Sequence, residues 1–336
     1  MEDKIVIPQN QGAARDTYWD SLKFVLIFLV VFAHFIKMGL DEPAKLFFHN
    51  YIYCFHMPLF IIISGLFTHS SSVKKTWKGV MSFVEVIAVC TIYVYLIWGN
   101  AYYIVPWYVL WYLASLVCWR LIVQYLPMNK IKPQVAILLA IILCLIVGML
   151  PINGKLAIDK TIAFFPFFLI GYYLQSEKGK ELIKKLRGFP HWISAVTLIL
   201  MGGGILLLNK DLTYYVVYTG YKGDLMYEIL IRLACIATAI VMSAAVINLT
   251  PDVKLFAKWG KSTLYIFIYH AFITYGLYKI ALRLEIDFNA IHVLLYLAMS
   301  VATVALIIWF SKYKLADIIL HPISHMTELY KTKKNN

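Results

Sequence analysis

An all-α bundle that crosses a membrane about ten times, with both termini in the cytoplasm, is the fold class this sequence predicts, on three observations. Of its 336 residues 61% are hydrophobic and the mean hydropathy is +0.73, whereas a soluble domain runs at about 45–50% apolar. Roughly ten apolar stretches approach the ~20 residues needed to span a bilayer core. Finally, ten crossings with an internal N-terminus put about twenty Lys/Arg on cytoplasmic segments and about eight outside, the asymmetry of the positive-inside rule. The formal net charge of +13 therefore reads as topology and headgroup contact, and a nucleic-acid partner is not expected.

The stretches lie near 18–38, 50–68, 80–98, 104–124, 134–150, 157–175, 192–208, 225–248, 260–280 and 290–311. They form one transmembrane domain, 18–312, between a cytoplasmic N-terminal segment, 1–17, and a basic cytoplasmic tail, 313–336. Residues 1–17 lack the basic n-region and short apolar core of a cleaved signal peptide. The external loops are then 39–49, 99–103, 151–156, 209–224 and 281–289. The longest holds four tyrosines in NKDLTYYVVYTGYKG, which read as an interfacial aromatic belt or a sugar-facing platform. The internal loops are basic, and SEKGKELIKKLRG at 176–188 reads as a short interfacial helix. Pro58, Pro106 and Pro166 interrupt spans, and such breaks often border an internal pathway. Five cysteines fall inside spans without paired spacing, so neither disulfides nor a metal are expected.

An ionisable group at the bilayer centre costs at least about 2.5–3.5 kcal/mol and calls for a partner, a cavity or a function. The first span, YWDSLKFVLIFLVVFAHFIKMGL, carries Asp20, Lys23 and His34. At about 100° per residue, Lys23 and His34 fall within roughly 20° of one line, and Asp20 within about 40°, so all three share a face. Lys23 sits near the cytoplasmic mouth and His34 about 16 Å further out along the axis. Other spans add His56, Glu85, Arg120, His270, and Glu228 with Arg232 at i and i+4, a spacing that lets them pair.

DSLKFVLIFLVVFAHF, with Lys23 followed after ten residues by His34, resembles the first helix of the membrane acyltransferase-3 family. FHMPLFIIISGLF, PWYVLWYL, FFPFFLIGYYL and GKSTLYIFIYH resemble its later motifs, in order and across nearly the whole chain. The resemblance implies a ten-helix bacterial inner-membrane enzyme. Such an enzyme moves a short acyl group, usually acetyl, from cytoplasmic acyl-coenzyme A to a hydroxyl of a cell-surface or lipid-linked glycan. Its branch looks like the fucose 4-O-acetylase-related proteins of polysaccharide pathways. Two positions depart from the pattern: Lys23 stands where many members have Arg, and Lys74, Lys75 and Lys78 replace a paired-arginine motif. Lysines meet phosphates as point charges rather than as bidentate forks.

A neutral sugar hydroxyl is a poor nucleophile, and transfer gains from a general base that titrates near neutrality. His34 is the expected base, since imidazole titrates there and the resemblance puts it at the reaction centre. Asp20, Glu228 and His56 complete the expected catalytic set. Lys23, Lys74, Lys75, Lys78 and Arg120 are expected to hold the acetyl-coenzyme A phosphates, and Arg232, His270 and Trp107 the acceptor. Direct transfer and an acyl-enzyme remain open, as does homo-oligomerisation. A transporter of a small polar solute or polysaccharide precursor would use the same buried charges as substrate or proton-relay sites, but no internal repeat points to one.

Overall fold

The computed structural model describes residues 16–39, 43–68, 72–99, 109–150, 152, 155–208, 221, 223–288 and 291–335. Every regular element among them is helical. The α-helices are α1 (Thr17–Ile36), α2 (Pro43–Tyr53), α3 (His56–Leu66), α4 (Val73–Trp98), α5 (Leu110–Tyr125), α6 (Pro133–Val147), α7 (Ile158–Ala163), α8 (Phe165–Tyr173), α9 (Glu177–Arg187), α10 (His191–Leu208), α11 (Leu225–Leu249), α12 (Lys254–Gly260), α13 (Thr263–Arg283), α14 (Val293–Phe310), α15 (Lys314–Leu320) and α16 (Pro322–Asn335).

Within the described residues, each apolar stretch expected from the sequence falls largely on helix. By length and composition, Thr17–Ile36, Pro43–Leu66, Val73–Trp98, Leu225–Leu249 and Val293–Phe310 are each able to cross a membrane. α9 and α10 make a sixth candidate if counted as one span bent by 86°, while α5 and α6 are shorter apolar helices. The tyrosine-rich loop lies outside the described residues apart from Tyr221 and Gly223.

α1 is the axis of the fold. Its mean hydropathy is high all round, and fourteen of its twenty residues are buried. A helix this apolar on most sides belongs inside a bundle, and α1 packs against α2, α3, α12, α13 and α14. Asp16 caps it, accepting the Tyr18 N–H at 3.0 Å. α12 lies against its inner half so closely that a Cβ on Gly260 would sit 2.0 Å from the Asp20 carbonyl oxygen. The same tightness joins α3 to α8: a Cβ on Gly171 would lie 1.9 Å from the Ile62 oxygen. Small residues allow such backbone approach where lipid gives little drive to helix association.

The prolines mark breaks. α2 gives way to α3 at Cys54–Phe55, with Pro58 in the first turn of the new helix, and α7 gives way to α8 at Phe164, followed by Pro166. In a first turn the missing N–H costs no hydrogen bond. Pro106 lies outside the described residues.

Two regions differ from the sequence expectation. Residues 43–49, assigned to an external loop, belong to α2. Lys45 and His49 made the segment look like loop, yet both are buried; Lys45 Nζ donates to the Phe288 carbonyl at 3.1 Å and lies over the Tyr296 ring. Residues 314–335, beyond the last span, are two helices docked on the bundle. Glu85 of α4 accepts the N–H groups of Ile323 and Ser324 at 2.8 and 3.0 Å, capping α16. Its carboxylate is thereby held by a helix N-terminus, which favours an anion. Asp317 of α15 accepts from Tyr265 at 2.9 Å, meets His325 Nε2 at 2.7 Å and lies 3.3 Å from His321 Nδ1. His321 Nε2 in turn meets Ser82 Oγ of α4 at 3.1 Å.

The nearness of His321 is the main reason the Asp317 carboxyl stays well below the ordinary carboxylate range; burial opposes it, and His325 and Tyr265 reinforce it. A depressed carboxylate stabilises above its unfolded value, about 4, and that contribution is lost as pH falls through the folded value. Asp317→Asn should therefore free residues 314–335 to exchange amide hydrogens at neutral pH. In the unaltered protein the same release should occur only on acidification below about 4. Unchanged protection in Asp317→Asn would contradict the clamp.

Candidate functional site

The N-terminal half of α1 brings Asp20 and Lys23 together, as their i, i+3 spacing on a shared face allows. Asp20 is buried, and Lys23 Nζ lies 3.4 Å from its Oδ1. The ammonium also sits 4.6 Å from the centre of the Phe67 ring at the end of α3, a cation–π contact. Ser21 Oγ locks this level in place, donating to the Val253 carbonyl at 3.0 Å and accepting the Val253 N–H at 3.2 Å.

Further out, His34 meets His270 of α13, their ring centres 5.2 Å apart. His270 Nδ1 lies 2.8 Å from the carbonyl of Ile266 one turn earlier. A carbonyl only accepts, so Nδ1 carries the proton and Nε2 presents a lone pair. That Nε2 is buried and makes no hydrogen bond among the described residues. His56 is set the same way, with Nδ1 2.7 Å from the Ile52 carbonyl. Tyr53 lies between His49 and His56, at 4.1 and 4.7 Å between ring centres. α1 and α13 thus bring together one imidazole pair, His34 with His270, and α2 and α3 supply a second group, His49 and His56 on either side of Tyr53. A buried, unsatisfied imidazole nitrogen is costly in an apolar interior and points to a polar occupant.

His49 was missed by sequence reasoning because it lay in an assigned loop. Tyr112 of α5 was missed as well. Its hydroxyl meets Ser64 Oγ at 2.6 Å and its ring packs edge-on against Phe267, which neighbours His270.

The other expected residues fall elsewhere. Lys74, Lys75 and Lys78 line an open hollow of about 610 Å³ with Ser72, Trp77 and Met81, all from the start of α4 and its cap. Arg120 of α5 lies over Phe83 of α4, 4.7 Å from the ring centre. Glu228 and Arg232 both engage the 221–223 segment: Glu228 accepts the Gly223 N–H at 3.2 Å, and Arg232 donates to Tyr221 at 3.3 Å. Arg232 also donates to the Cys144 carbonyl at 3.0 Å, placing it between α11 and α6. Trp107 lies outside the described residues.

Apolar helices long enough to cross a membrane, with imidazoles buried among them, define a membrane protein. The chain belongs to the acyltransferase-3 family, whose model, an acyltransferase domain, matches residues 16–312. It is thus a membrane acyltransferase by family. No curated protein and no solved structure matches it.

His270→Asn retains an N–H donor for the Ile266 carbonyl but has no acceptor at the position of His270 Nε2. Acyl transfer by the purified variant should fall by about 10²-fold or more with its thermal unfolding midpoint little changed. Full activity would exclude His270 from the reaction.

Proposed function

We propose that this protein takes a short acyl group, acetyl foremost, from cytoplasmic acyl-coenzyme A and transfers it to a hydroxyl of a cell-surface or lipid-linked glycan. It would do so from a bacterial inner membrane, through ten crossings with both termini inside. The observation that carries the reading is the His34–His270 pair in the interior of a family-matched bundle, 5.2 Å between ring centres.

In this reading His34 is the general base. It takes the proton of the acceptor hydroxyl as the oxygen bonds to the thioester carbonyl carbon. The C–S bond then breaks, and the proton passes to the leaving thiolate. His270 Nε2 accepts a hydrogen bond from His34 or from the acceptor hydroxyl, orienting one against the other. His56, with its proton likewise committed to a backbone carbonyl, supplies a second acceptor on the same side. Asp20 holds Lys23 at the inner end of α1, where its ammonium meets a phosphate of the donor. The rise of α1 from Lys23 to His34, about 16 Å, suits an extended thiol-bearing arm. Lys74, Lys75, Lys78 and Arg120 add positive potential on the donor side, while Glu228, Arg232 and Trp107 belong to the acceptor side.

Purified protein should hydrolyse or transfer acetyl from acetyl-coenzyme A, and His34→Ala should abolish this by about 10²–10⁴-fold while the protein still folds. Lys23→Ala should raise KM for acetyl-coenzyme A more than it lowers kcat. A folded His34→Ala protein with full activity would overturn the assignment.

A further inference from the structure

A second hollow, larger than the one among the lysines of α4, lies elsewhere. It is a groove of about 810 Å³ at the inner end of α1, bordered by the ends of α3 and α8 and walled on one side by α9. Lys180, Ile183, Lys184 and Arg187 line it. These are i, i+3, i+4 and i+7 on one face of α9. Trp19, Leu66 and Phe67 form the opposite, apolar wall. Of the three cations, Arg187 lies 3.7 Å from Asp16 and Lys180 pairs with Glu177 at 2.6 Å, so the groove keeps a net positive lining.

The groove is built rather than accidental. α9 starts at a cap, with the Gly179 N–H given to Ser176 Oγ at 3.2 Å. Its last carbonyls are stapled by buried Asn248 of α11, whose side-chain amide donates to Leu186 and Phe189 at 2.9 Å each. Arg187 is held flat over Tyr18, 3.7 Å from the ring centre, and the Tyr18 hydroxyl donates to the Ile247 carbonyl. Meanwhile Glu181 and Lys185 pair on the other face of the helix at 2.9 Å. One face of α9 is thus committed to the groove and the other to solvent or headgroups.

Two features select the occupant. A wall of cations opposite a wall of aromatic rings fits a ligand that carries both phosphates and a planar ring. And the Phe67 ring that closes the groove is the ring beneath Lys23 Nζ, so the groove opens onto the Asp20–Lys23 pair. The hollow at Lys74, Lys75 and Lys78 has neither property, being the surface of one helix.

We propose that the groove between α9 and the inner ends of α1 and α3 binds the phosphate-bearing nucleotide end of the acyl donor. The inference rests on the acyl-coenzyme A reading above and moves the principal phosphate contacts from α4 to Lys180, Lys184 and Arg187. The thiol arm then leaves past Phe67 and Lys23 toward His34. The same phosphate chemistry is found in an anionic lipid headgroup, which competes for the groove.

Coenzyme A and pantetheine binding to detergent-purified protein, followed by calorimetry, tests this. Lys180 and Lys184 are exposed, so Lys180→Glu with Lys184→Glu leaves the fold intact. That double variant should weaken coenzyme A binding by about tenfold or more and lose the salt dependence of binding, with pantetheine binding unchanged. Lys74→Glu with Lys75→Glu and Lys78→Glu should weaken coenzyme A binding clearly less than the α9 variant does. Normal coenzyme A binding by the α9 variant overturns the groove assignment alone. Failure of the unaltered protein to bind coenzyme A overturns the proposed function with it. If the α9 variant keeps coenzyme A binding but loses its affinity for phosphatidylglycerol in nanodiscs, the groove is a headgroup site and the donor assignment is wrong.

Discussion

Burying α1 is the constraint on which the rest depends. A helix enclosed by five others cannot lead its polar groups to water, so each must find a partner within the bundle or serve a ligand. At the N-terminal end the solution is local. Asp20 and Lys23 meet each other, Phe67 covers the ammonium, and Gly260 lets α12 press onto the Asp20 carbonyl. At the C-terminal end it is long-range, since His34 meets an imidazole delivered by α13. The two ends behave differently because an ion pair at i and i+3 needs only helical spacing, whereas a ring pair needs the fold.

The histidine centre gains its definition from backbone carbonyls. His56 and His270 each spend a nitrogen on the carbonyl one turn before, which fixes the tautomer and the ring orientation without another side chain. An imidazole held in this way is ready to accept a proton or a hydrogen bond without reorganising, which is where preorganised sites gain most of their advantage. The inner groove is set by comparable means, with Asn248 and Ser176 satisfying the two ends of α9.

Much of this could be read from the sequence, and the boundary between what could and could not has a physical basis. Apolar stretches located the helices because the bilayer length scale leaves few alternatives, and α1's three ionisable residues were placed on one face by periodicity alone. Residues 43–49 were misplaced because a buried Lys45 looks like a loop residue until the Phe288 carbonyl and Tyr296 ring, far along the chain, are seen beside it. His49 went with it. Glu85 stood out in its span without a reason, which the backbone N–H groups of Ile323 and Ser324 supply. Glu228 and Arg232 were recognised as neighbours, but their engagement with Tyr221 and Gly223 depends on a segment that periodicity does not describe.

The account's central claim is that His34 and His270 act as one unit. A double-mutant cycle on kcat for acetyl transfer, combining His34→Ala and His270→Asn, tests it most directly. If the two imidazoles serve the same step, the double variant should be little slower than the slower single variant, as for other residues that act together. Losses that multiply in the double variant would show two independent roles and contradict the shared centre.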